Sequence, residues 1–69
     1  MDLELEKLLL ECDKAMQTFH IRYNDFRSHQ REPNADLENL MLTWLPVAEA
    51  NAAVAGSIGD IQRYFGTRR

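Results

Sequence analysis

The chain has 69 residues, 45% of them hydrophobic, a formal net charge of −3 and a single cysteine. That length limits it to one domain with a small core, and one cysteine excludes an intrachain disulfide. The mild acidity argues against a general nucleic-acid binder and is too weak for a DNA mimic.

The acidic opening Asp2-Leu3-Glu4-Leu5-Glu6 lacks the basic region and apolar run of a secretion signal. No apolar stretch approaches the roughly 20 residues needed to span a bilayer, and a lone thiol suits a reducing compartment. A cytoplasmic protein without a membrane partner is expected. With no disulfide and no Cys/His spacing suited to a metal, a partner chain is the remaining way to complete the core.

In chain order, a first helix is expected over about 2–31. Asp2 is a suitable N-cap, and neither proline nor glycine interrupts the stretch. Its apolar face is Leu5, Leu9, Cys12, Met16, Phe19, Tyr23 and Phe26, widened by Leu8 and Ala15. Acids at its start and Arg27, His29 and Arg31 at its end complement the helix dipole.

Pro33 drives Glu32 out of the helical region, so a turn is expected at 32–34. Asn34 is read as the next N-cap, with Asp36 and Glu38 in the first turn. So short a connection makes the two helices antiparallel neighbours.

A second helix is expected over about 35–65, with a frayed tail at 66–69. Its seam runs Leu37, Leu40, Trp44, Val47, Asn51, Val54, Ile58, Ile61, Phe65 in alternating steps of three and four. Pro46 must kink or break the helix; the seam keeps phase across it, which favours a kink. Gly56 and Gly59 lower helix propensity but admit a close neighbour, and Gly66 suits a C-terminal cap.

A hairpin buries only the strip between its helices, and this chain has more apolar surface than one strip. Leu40 to Leu45 is apolar almost all round, and Leu10 and Ile21 lie off the main face of the first helix. The expected architecture is therefore all-α: an antiparallel two-helix hairpin, its second helix kinked or broken near Pro46, dimerising into a four-helix arrangement. Leu9, Met16, Leu37, Leu40, Val47, Asn51, Val54, Ile58 and Ile61 are the residues assigned to the dimer or hairpin seam. Asn51 either fixes register, as a seam asparagine does in coiled coils, or is turned to solvent by the kink.

Catalytic chemistry finds little support. His20 and His29 stand nine residues apart and so occupy different sides of a helix. Cys12 lies on the apolar face with Glu11 and Asp13 beside it, the wrong electrostatics for a reactive thiolate. Gly56-Ser57-Ile58-Gly59 lacks the lysine of a phosphate loop. A non-enzyme without cofactor or metal is expected.

Arg22, Arg27, His29 and Arg31 with Tyr23 and Phe26 would suit nucleic acid, but the aromatics fall on the core face and Asp25, Glu32 and Asp36 lie close by. No direct nucleic-acid contact is expected. Protein-binding hot spots favour Trp, Tyr and Arg, so Phe19, Arg22, Tyr23, Phe26, Met41, Trp44 and Leu45 are the candidate partner-binding residues. Of these, Arg22, Met41 and Leu45 flank the seams, whereas Trp44 also serves the core reading.

In its size, its Pro33 turn between two long helices and its aromatic cluster around Trp44, the chain resembles the small host-takeover proteins of temperate bacteriophages, in particular the dimeric helical anti-quorum-sensing type from Pseudomonas phages. The resemblance implies a homodimer in the host bacterial cytoplasm that binds a quorum-sensing transcriptional regulator and keeps it from DNA, with pilus assembly as a second target. Type III secretion needle co-chaperones share the hairpin format and imply a heterodimer with another chaperone. A small DNA-binding helical module is the third alternative.

Overall fold

A computed structural model of the chain describes residues 2–67. It contains two α-helices, α1 (Leu3–Gln30) and α2 (Leu37–Thr67), packed side by side as a hairpin. The molecule measures 53 × 18 × 11 Å, so its thinnest dimension is a single helix diameter.

Local chemistry sets the ends. The Asp2 carboxylate accepts the backbone N–H groups of Glu4 (3.1 Å) and Leu5 (3.3 Å), satisfying donors that the first helical turn leaves open. At the far end the Arg31 N–H donates to the Arg27 carbonyl and the Glu32 N–H to the His29 carbonyl. The connection closes with the Ala35 N–H donating to the Glu32 carbonyl at 3.1 Å.

The second cap is Asp36, not Asn34: its Oδ1 accepts the Asn39 N–H at 2.8 Å. Helix α2 therefore starts two residues later than the spacing suggests. Pro33 and Asn34 lie in the turn, and Asp36 is the acceptor that reaches the N3 amide. Helix α2 also runs past 65 to Thr67, and no described residue has positive φ. Gly66 is thus helical, and no left-handed cap forms there. The expected tail at Arg68 and Arg69 lies outside the described residues.

Helix α2 is continuous through Pro46, so the broken alternative is not adopted. Proline removes the donor that would meet the Leu42 carbonyl. Both Leu42 and Pro46 lie on the exposed side of α2. One turn back, the Thr43 hydroxyl donates to the carbonyls of Asn39 and Leu40, each at 3.1 Å.

Burial defines which stripe of each helix makes the hairpin. Apart from the half-buried Gly59, the covered positions in α2 are Leu40, Thr43, Val47, Ala50, Val54, Ser57, Ile61 and Tyr64. They follow an unbroken three-four alternation. In α1 they are Leu5, Leu8, Cys12, Ala15, Phe19, Tyr23, Phe26 and His29. Val47, only 1% exposed, is the best-covered side chain among the described residues. Leu40, Val47, Val54 and Ile61 thus occupy the hairpin seam. Leu9, Met16, Leu37, Asn51 and Ile58 do not; each is exposed on a flank beside it.

The glycines do not bring the helices together. A methyl group added at Gly56 would meet nothing within 4 Å, and at Gly59 only the Arg63 guanidinium at 3.7 Å.

Candidate protein-interaction surface

The two long edges of the hairpin differ in chemistry. One edge is polar. A hollow on this edge is bordered by His29, Glu32, Asn34 and Asn39 together with Leu40, Leu42 and Thr43. Here the His29 Nδ1–H donates to the Asp25 carbonyl at 2.9 Å, with the Asp25 carboxylate 3.9 Å away. That backbone hydrogen bond, aided by the charges of Asp25 and Glu32, raises the His29 pKa above its ordinary 6.5.

The other edge is apolar. Leu37, Trp44, Ile58 and Phe65 are exposed at seven-residue intervals along α2, with Asn51 holding the middle place. In α1 the matching stripe is Leu9, Met16 and Tyr23. In an antiparallel pair the positions following each seam residue by four lie on the same side of both helices. Ring contacts agree: Phe19 stacks on Tyr23 at 6.1 Å, and Phe19 shares a hollow with Trp44, Val47, Ala48 and Asn51. Phe26 meets Trp44 edge to face at 5.0 Å.

At the turn end this edge deepens into a groove of about 400 Å³ lined only by Phe26, Leu37, Leu40, Met41, Trp44 and Leu45. Its outer wall continues around α2 through Leu42. Met41, Leu42 and Leu45 are 63%, 59% and 56% exposed, and Trp44 is 43% exposed. Large apolar side chains grouped and left this open make the face a candidate contact surface.

Of the seven candidate partner-binding residues, the groove collects Phe26, Met41, Trp44 and Leu45. Phe19 and Tyr23 form a stacked pair one to two turns farther along α1 and adjoin the groove through Trp44. Arg22 does not line it; by its place in the heptad it points toward the polar edge. The groove also takes in Leu37, and Leu42 lies on the exposed surface beyond it. Periodicity assigns Leu37 to the seam, and Leu42 carries no periodic signal of its own.

Cys12 is buried, and among the described residues no group of three or more His, Cys, Asp or Glu side chains is placed to hold a metal ion. No described helix is long and apolar enough to cross a membrane. Arg22, Arg27 and Arg31 are all exposed near the end of α1. Comparison with family models, with curated proteins and with solved structures finds no match.

Proposed function

We propose that this chain is a non-enzymatic inhibitor that binds another protein and blocks it. The reading follows the phage host-takeover resemblance: a phage-encoded anti-activator in the bacterial cytoplasm, occupying a transcriptional regulator such as one of quorum sensing. The observation that supports it is the outward apolar face of Met41, Leu42 and Leu45 beside the groove of Phe26 and Trp44. Methionine adapts its shape to a partner surface, and Leu42 and Leu45 beside it give that outward face its apolar area.

A tagged pull-down from bacterial lysate tests this reading. Capture of one transcriptional regulator, reversed by the operator DNA of that regulator, is the expected result. The double variant Met41→Glu, Leu45→Glu keeps its helicity, because both residues lie outside the hairpin seam, and loses capture. Retained capture would move the site elsewhere. Capture that weakens steeply with salt would favour a phosphate-driven DNA module. A chain soluble only beside a secretion chaperone would favour the co-chaperone alternative.

A further inference from the structure

We infer that the apolar edge of the hairpin is covered by a second copy of this chain, laid antiparallel so that the two turn ends lie at opposite ends of a four-helix bundle. The inference does not depend on which protein the dimer blocks.

Area is the first argument. A folded monomer of 8.0 kDa exposes about 4,450 Å² on the general size scaling, whereas this hairpin exposes 5635 Å². The excess, about 1,200 Å², exceeds the ~800 Å² per partner that a standard stable interface covers.

Symmetry is the second. About Asn51, the α2 stripe is balanced: Trp44 and Ile58 lie seven residues to either side, Leu37 and Phe65 fourteen. About Met16, the α1 stripe is balanced by Leu9 and Tyr23. A twofold axis across the middle of the edge sets Met16 near its own copy and Asn51 near its own copy. It also sets Trp44 against Ile58 and Leu37 against Phe65. An asparagine amide both donates and accepts, so two can pair across the axis and hold the register.

Charge chooses between orientations. The outer border of the α1 stripe reads Glu6, Asp13, His20, Arg27, all exposed at seven-residue intervals. None has an ion-pair partner among the described residues. The acids Glu6 and Asp13 lie to one side of the same centre and the cation Arg27 to the other, with the His20 imidazole as a further polar group. Antiparallel copies therefore place Glu6 beside the second copy's Arg27 and Asp13 beside its His20, each pair twice by symmetry. With the turn ends together, α1 would instead border Met41, Ala48, Ala55 and Gln62 of the second copy, none of which is charged.

Light scattering on the intact chain should give twice the mass of one copy at micromolar concentration. Met16→Glu, at an exposed position, should give a helical monomer. Glu6→Arg should weaken dimerisation about tenfold by making both symmetry-related contacts repulsive, and adding Arg27→Glu to the same chain should restore it. Under oxidation Met16→Cys and, separately, Asn51→Cys should each form a disulfide-linked dimer, which requires Cβ atoms about 3.8 Å apart. A monomeric wild type would overturn the inference. A dimer that neither cysteine crosslinks, or that the charge exchange fails to restore, would overturn the antiparallel arrangement.

Discussion

The Phe26 ring meets Trp44 edge to face, with centroids 5.0 Å apart and planes at 72°. This contact ties the last turns of α1 to the early turns of α2, next to the connection. Aromatic pairs of this geometry contribute about 0.5–1.5 kcal/mol beyond the area they cover. Phe26→Ala also removes a half-buried ring, so a loss of about 2–3 kcal/mol is expected. Phe26→Leu should recover much of it. Urea unfolding followed by circular dichroism measures both; equal loss in the two variants would show that ring geometry, not apolar volume, is what the site needs.

Val47 and Ile58 separate the two stripes of α2. Val47 is covered within one chain, whereas Ile58 is 47% exposed. Val47→Asp places a carboxylate in the hairpin seam without a partner and should abolish the helical fold. Ile58→Asp should leave the far-ultraviolet spectrum of a helical hairpin. Loss of helicity in both would mean that the hairpin cannot stand without its apolar edge covered.

Caps can be weighed against each other. Asp36→Ala deletes the acceptor for the Asn39 N–H and should cost about 1 kcal/mol. Asn34→Ala lies in the turn and should cost under about 0.5 kcal/mol. The reverse order in thermal melts would return the cap to Asn34.

Gly56 offers a gain. Its added methyl group meets nothing, so Gly56→Ala should stabilise α2 by roughly 0.8–1 kcal/mol through helix propensity alone. A loss instead would reveal a neighbour pressed against that face in solution.

His29 sets a pH dependence. Its folded pKa is raised above 6.5, first by the hydrogen bond to the Asp25 carbonyl and then by the nearby carboxylates. A raised histidine stabilises the folded state below its unfolded value, and that contribution fades as pH rises through the folded value. Wild-type stability should therefore fall on going upward from about pH 6.5, and His29→Gln should flatten that slope. An unchanged slope in the variant would assign it to another group.

Much of this molecule was legible in the chain. The uninterrupted run to Arg31, the Pro33 turn and the apolar period of the second half determined two long antiparallel helices, because helix propensity and chain breaks are local properties. The same locality located the aromatic cluster, since Phe26, Met41, Trp44 and Leu45 all lie near the turn.

Tertiary structure decided which stripe of α2 is the hairpin seam. Periodicity counts large apolar residues and so selects Trp44, Ile58 and Phe65 alongside Leu40, Val47, Val54 and Ile61. Packing instead turns Thr43, Ala50 and Ser57 inward. Helix α1 presents bulky Phe19 and Phe26 to the interface, and two helices close only where bulky side chains face small ones. The large residues of α2 were thereby displaced onto one edge. A single helix carries no record of the size of its neighbour's side chains, so that displacement, and the uncovered apolar surface it creates, follow only from the two helices together.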